Sequence, residues 1–412
     1  MQSRRLFLKS SALAIFGVGA APAWLGRAVY AGEAPARRRK ILIAIFQRGA
    51  VDGLNMVVPY GESRYYEMRP TIAIPRPDGT ADAAIDLDGM FGLHPALAPL
   101  KPLFDAQHLA IVEAAGSPDP TRSHFDAQDY MESGTPGLKA TSDGWMNRAL
   151  PKESAKTSPL RAVSLGSTLP RSLRGRNDAV AVNNLADFKV GDARGAETFE
   201  QMYDSATDTV LHGAGKETFD AVRIMQAVQK QTYAPANGSA YPNGRFAQSL
   251  RQIAQLIKAD VGLEVAFADV GGWDTHVNEV GAKPTVGVLA NNLTEFGGAL
   301  AAFYKDLADR MEDVTLVTMS EFGRTAHENG NRGTDHGHAN VMFVMGGDVR
   351  GGKVYGDWPG LEQEQLYESR DLRLTTDFRD ILGELVSRHL GNTNLKSVFP
   401  GYTAPKFRGI LG

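Results

Sequence analysis

The 412 residues carry 44 Lys and Arg against 47 Asp and Glu, a formal net charge of −3, with 43% hydrophobic side chains and no cysteine. That is enough apolar material for one large domain or two smaller ones, and it excludes disulfides, thiolate ligands and thiol nucleophiles. Residues 1–31 hold Arg4, Arg5, Lys9 and Arg27 and no acid, so without them the net charge becomes −7, a poor match to nucleic acid or to an anionic membrane.

At the N-terminus, Ser3-Arg4-Arg5-Leu6-Phe7-Leu8-Lys9 fits a twin-arginine export signal, and the mild Gly- and Ala-rich stretch 10–24 behind it is too short to span a bilayer. Residues 1–31 are therefore expected to be a signal peptide cleaved after Val29-Tyr30-Ala31, with Ala34-Pro35-Ala36 as the alternative. The expected partner is the twin-arginine translocation machinery and the expected location is the periplasm. No later segment is long and apolar enough to be a transmembrane helix.

The run 41–46 reads as a buried first strand with its outlet at 47–55. A proline-interrupted helical stretch, 95–107, leads to a second strand, 109–114, and the loop 116–122. Ser123 looks like the N-cap of a helix over 123–132, with Asp126 as its capping-box partner. A third strand follows at 161–165. Residues 196–260 read as mostly helical, interrupted by the Pro-, Asn- and Gly-rich 233–244, and could form an inserted cap. Then come a strand at 263–270, a helix at 286–311, strands at 314–320 and 341–346, and a C-terminal helix at 377–390. This alternation predicts a single α/β domain over 32–412, with a mostly parallel central sheet and helices on both faces.

Nine histidines are present, and three of them, His276, His336 and His338, fall in two short loop segments beside apolar runs. Asp335-His336-Gly337-His338 is the strongest signal: both histidines could face one ion with Asp335 behind them fixing a ring, or one could ligate while the other moves protons. Asp274 and His276, two residues apart, point to the same side of an extended stretch and could share that ion. Glu321 ends a buried strand and needs a partner there, either an ion or Arg324. Asp52 stands in an Asp-Gly turn and is either a turn residue or a ligand. Ser123 and His124 open a helix whose N-terminus favours an anion, with Ser123 as cap or nucleophile and Thr121 as the fallback hydroxyl. His94, before Pro95, reads as structural, as do His108, His212, His327 and His389.

Several stretches together resemble one exported bacterial family: 48–55, Gly92-Leu93-His94-Pro95, Ser123-His124-Phe125-Asp126-Ala127-Gln128, Gly272-Trp273-Asp274-Thr275-His276, Ser320-Glu321-Phe322-Gly323-Arg324-Thr325 and Asp335-His336-Gly337-His338-Ala339-Asn340. It is the domain-of-unknown-function 1501 family, grouped with the alkaline-phosphatase-like superfamily. The resemblance implies an alkaline-phosphatase-like fold and a two-metal site at the carboxyl ends of the strands. It makes Asp52 the first-strand ligand, Ser123 the nucleophile, Asp274 and His276 the paired ligands, Glu321 the counterpart of an Asp-His pair, and His336 the final ligand. Phe322 replaces a superfamily histidine, a gap that His338 could fill.

These readings combine into an expectation. The chain would be an exported metal-dependent hydrolase or transferase acting on a small anionic or glycan-linked ester of phosphate type, with zinc or manganese held by Asp52, Asp274, His276, Glu321, Asp335 and His336. Ser123 would attack, His124 or His338 would move protons, and Arg324 or Arg48 would hold the anion. A sulfatase is disfavoured, since 117–122 lacks the spacing needed to make formylglycine. The alternative is a non-catalytic exported binding protein that keeps the fold and a structural metal.

Overall fold

A computed structural model describes residues 39–139, 141–151, 157–185, 209–230 and 232–412. The expected signal peptide and the first part of the expected 196–260 helical stretch lie outside the described residues. The apolar runs become strands because each is short, rich in apolar side chains and buried on both sides. In β1 (Ile41–Gln47) all seven residues are buried. β2 (Leu109–Gly116), β3 (Ala162–Leu165), β4 (Val180–Val182), β5 (Val265–Val270), β6 (Val314–Ser320) and β7 (Asn340–Gly346) follow in chain order. With two-residue strands at Val354–Tyr355 and Thr376–Asp377 they form a nine-stranded sheet among the described residues. Its order is Val354–Tyr355, β2, β7, β6, β1, β5, β3, β4, with Thr376–Asp377 also on β2.

The sheet is mostly parallel, as expected, but β7 is antiparallel to both β2 and β6. An all-parallel neighbourhood would have put the Asp335–His338 segment at the opposite end of the sheet from the outlets of its neighbours. Because β7 runs the other way, the segment that precedes it lies at the edge where the parallel strands end. The register fixes that edge: Gln47 pairs with Val270 and with Ser320, and Asn340 pairs with Ala115. The segments leaving β1, β2, β5 and β6 therefore meet the segment entering β7.

Helices cover both faces. Ile41, Ile43 and Ile45 of β1 belong to one core with Leu250 and Ile253 of a helix at Arg245–Lys258 and Phe296 and Leu300 of a helix at Val288–Leu307. Ala221, Met225 and Val228 of the helix at Thr209–Lys230 join the same core, so this part of the expected cap packs on the sheet's own helical layer. Leu42, Ala44 and Phe46 face the other core, with Met131, Trp145 and Phe378, Ile381 and Leu382 of the helix at Phe378–Glu384.

Two buried histidines, His94 and His389, are expected to set a pH response. His94 accepts from the Ala96 N–H, and His389 lies against the Ile41 carbonyl and the Thr315 hydroxyl. Burial pushes each down to about 4. Both are neutral in either state above pH ~6.5, so their contribution is complete there. As the pH falls from about 6.5 toward 4, the unfolded chain takes up protons that the folded chain refuses, and stability is lost. Urea unfolding at pH 7 and pH 5 is expected to show this loss, with a pH slope shallower by up to about one proton in His389→Gln. An unchanged slope in that variant would contradict the assignment.

Candidate metal centre

The outlet of β1 passes close under the segment that follows β5. A Cβ on Gly49, whose φ is +114°, would stand 2.7 Å from the Asp274 backbone nitrogen, so glycine is required there. The Gly49 N–H donates to Glu321 Oε1 at 2.8 Å. Glu321 is fully buried at the end of β6, and the same oxygen accepts from Gln128 Nε2 and from His124 Nδ1, each at 2.8 Å. Both residues lie on α1 (His124–Ser133). Burial alone would raise the Glu321 pKa, but the hydrogen bonds from His124, Gln128 and Gly49 hold it below the usual carboxylate value. The same contact raises the His124 pKa.

The other rings are held in the same way. His276 Nδ1 donates to Asp335 Oδ1 at 3.0 Å, and His336 Nδ1 donates to the Arg122 carbonyl at 2.9 Å. His336 reaches this place because residues 335–337 run against Arg324 so closely that a Cβ on Gly337 would lie 2.3 Å from the Arg324 carbonyl oxygen. With each Nδ1 proton given to an oxygen that can only accept, each neutral ring presents a bare lone pair at Nε2.

Those lone pairs converge. His336 Nε2 lies 3.0 Å from His124 Nε2 and 2.9 Å from His276 Nε2. Asp274 Oδ1 is 3.2 Å from His336 Nε2 and 3.0 Å from His276 Nε2, and Oδ2 is 3.5 Å from His124 Nε2. Burial works against the Asp274 charge, but Arg324 Nη2, donating to Oδ1 at 2.6 Å, keeps its pKa low. Burial pushes the His336 pKa down. Phe322 packs against the His124 and His336 rings, each with centroids 4.9 Å apart, and so props both imidazoles.

Nitrogen lone pairs about 3 Å apart with no proton between them repel, and a cation among them turns the repulsion into ligation. His124, Asp274 and His336 bring ligand atoms within 4.8 Å of one another and could hold a metal ion, with His276 beside them. A tetrahedral zinc site with bonds of about 2.0–2.1 Å has ligand atoms about 3.3–3.4 Å apart. The contacts here, 2.9 to 3.5 Å, fall around that value. An oxygen behind each Nδ1 is what fixes the tautomer and tilt of a ligating histidine. The centre is open to solvent, the Asp274 side chain being 47% and that of His276 38% exposed.

The sequence profile of a family described as "Protein of unknown function (DUF1501)" matches residues 106–399. The chain belongs to that family. A comparison with curated proteins found no match. Among solved structures it is similar to the C-terminal periplasmic domain of EcEptC from Escherichia coli in complex with Zn, at 9% identity, 76% of this chain and 73% of that one, and a TM-score of 0.36. It is also similar to a protein in the alkaline phosphatase superfamily from Vibrio parahaemolyticus, at 9% identity and a TM-score of 0.32, with 77% of this chain and 62% of that one covered. A third is the PsFucS1 sulfatase from Pseudoalteromonas sp., at 12% identity, 90% and 74% coverage and a TM-score of 0.40. At these identities and scores they stand as likenesses only.

Of the residues singled out from this family member's sequence, the structure gathers Asp274, His276, Glu321, Asp335, His336 and His124. Glu321 and Asp335 sit behind the rings of His124 and His276. Asp52 is engaged elsewhere: buried beneath the edge, it accepts from Arg69 Nη1 at 2.5 Å and Nη2 at 3.1 Å. His338 is turned to the Ser117 carbonyl, 3.1 Å from Nε2, with its ring on Tyr367. Arg324 donates to the carbonyls of Gly49, Ala50, Trp273 and Thr334 as well as to Asp274, and its side chain is sealed from solvent, so it is not presented to an incoming anion. Arg48 is likewise committed to Gln128, Glu132 and Asp269. Ser123 precedes α1 as expected, yet its hydroxyl makes no capping hydrogen bond. Gln128 was not anticipated, although it lies four residues, one helical turn, after His124.

Proposed function

We propose that this chain is an exported metal-dependent hydrolase or transferase acting on phosphate-type esters of small or glycan-linked alcohols. The observation that carries the reading is the convergence of three histidine Nε2 lone pairs on the Asp274 carboxylate, with every Nδ1 proton already committed. Export rests on the N-terminal Arg4-Arg5 motif. An imidazole-rich set favours zinc over manganese. When bound, such an ion would polarise the ester oxygens and offset charge building up on them. Openness on the Asp274 side supports turnover, since catalytic sites keep a face for substrate.

Ser123 is the candidate acceptor. It stands beside His124 at the start of a ten-residue helix whose free N–H groups favour an anion, and its hydroxyl is not used for capping. In the proposed transfer the Ser123 oxygen bonds to phosphorus while the ester P–O bond breaks, the hydroxyl proton passing to the departing alcohol; water then bonds to phosphorus, the Ser123 O–P bond breaks, and a proton from that water restores the hydroxyl. The commitment of Arg48, Arg324 and His338 to internal partners supports a second reading, an exported binding protein with a structural metal.

Assays of the zinc-loaded chain against aryl phosphates, phosphodiesters and aryl sulfates separate the two. We expect phosphate-ester turnover that Ser123→Ala abolishes while bound zinc and folding stability stay at the parent level, the change being under ~0.5 kcal/mol because no cap bond is lost. Zinc-loaded parent protein inert toward every ester would leave the binding-protein reading.

A further inference from the structure

Two segments bring histidines to the centre, 274–276 after β5 and 334–336 before β7, and their spacing decides where His276 Nε2 stands against His336 Nε2. Beneath them lies Glu279, fully buried. One of its oxygens, Oε2, accepts from the Thr275 hydroxyl at 3.0 Å and from the Thr334 hydroxyl at 3.1 Å. Thr275 stands between Asp274 and His276, and Thr334 immediately precedes Asp335 and His336. The backbones join at the same place, Thr334 N donating to the Thr275 carbonyl at 3.2 Å and Glu279 N to the Arg332 carbonyl at 2.9 Å.

The other side of the carboxyl meets the buried base of the fold. Asn55 Nδ2 donates to Oε1 at 3.4 Å, and Arg69, beside Asn55, holds Asp52 in the same buried layer. Arg69 donates to both oxygens of Asp52. Burial, with the Asp52 charge nearby, pushes the Glu279 pKa up.

The geometry points to Glu279 as the positioning residue of the centre: its carboxyl ties the 274–276 and 334–336 segments into one unit and so sets His276 against His336. It touches no reacting group. Only its consequence for zinc rests on the metal reading; the tie itself belongs to the metal-free chain.

Glutamine keeps an oxygen that accepts from both threonines, whereas leucine fills the space and offers none. The test is hydrogen–deuterium exchange on the metal-free protein, followed in peptides covering 272–279 and 331–337. In Glu279→Leu exchange is expected to rise about 10-fold in both peptides together, the effect of losing two ordinary buried hydrogen bonds, and to stay at the parent level in β2. Glu279→Gln should remain within about two-fold of the parent. Thr275→Val with Thr334→Val removes the same two hydrogen bonds and gives the same paired rise, which decides the matter if the leucine variant fails to fold. Parent-level exchange, a rise in one peptide alone, or glutamine behaving like leucine would overturn the inference. Zinc titration of the same proteins should show binding weakened about 10- to 100-fold by the leucine and double-valine changes only. A parent that binds no zinc would sink the metal reading alone, because the exchange result stands without it.

Discussion

His336→Ala is expected to weaken zinc binding by more than about 100-fold, because changes to residues that merely support a ligand already cost 10- to 100-fold. His336 is the hub of the centre, its Nε2 lying 3.0 Å from His124, 2.9 Å from His276 and 3.2 Å from Asp274. Without it the remaining two imidazoles lose the ligand that lies between them. The rise in Tm that zinc gives the parent should vanish with the affinity, since a ligand stabilises only in proportion to its binding to the folded state. The metal-free proteins should compare differently. When all three rings of the parent are neutral their lone pairs face one another, a local conflict that the alanine variant relieves. The metal-free variant should therefore melt no lower than the metal-free parent. Calorimetry with and without chelator reads both, and a variant that keeps tight zinc binding contradicts the site.

Asp52→Asn is expected to do the opposite, costing about 3–5 kcal/mol of stability while leaving zinc stoichiometry unchanged. The Asp52 side chain is 1% exposed and that of Arg69 0% exposed, so the pair is sealed from water. Asparagine keeps the shape and one acceptor but leaves the Arg69 guanidinium buried without its counter-charge, which is the costly way to break such a pair. Were Asp52 a ligand, as the family resemblance implied, the same change would remove metal. Urea unfolding and metal analysis of one preparation tell the two apart.

The strands of the sheet were legible because each is a short apolar block bounded by loop residues, and β1, β2, β5 and β6 lie within a few residues of their expected positions. β4 was missed because three residues, Val180–Val182, carry no period of their own. The direction of β7 was not legible, since a run buried on both faces reads the same in either sense. Asp274 and His276 met the same-side expectation, with Asp274 Oδ1 and His276 Nε2 3.0 Å apart. His124 was read as a proton carrier because its partners are distant in sequence, Glu321 by 197 residues and His336 by 212. No local pattern encodes a contact of that span; the register of β2 and β7 creates it. Asp52 misled for a related reason: an acid at the end of a first strand looks like a ligand until the guanidinium from 17 residues later is seen against it.

The most direct measurement is zinc-edge X-ray absorption on the chain loaded with one equivalent of zinc. The convergent centre predicts a mixed nitrogen and oxygen shell at about 2.0–2.1 Å with the outer scattering of three imidazoles, reduced by one ring in His276→Ala. A shell with one imidazole or none, or a chain that releases its single equivalent on desalting, would contradict it.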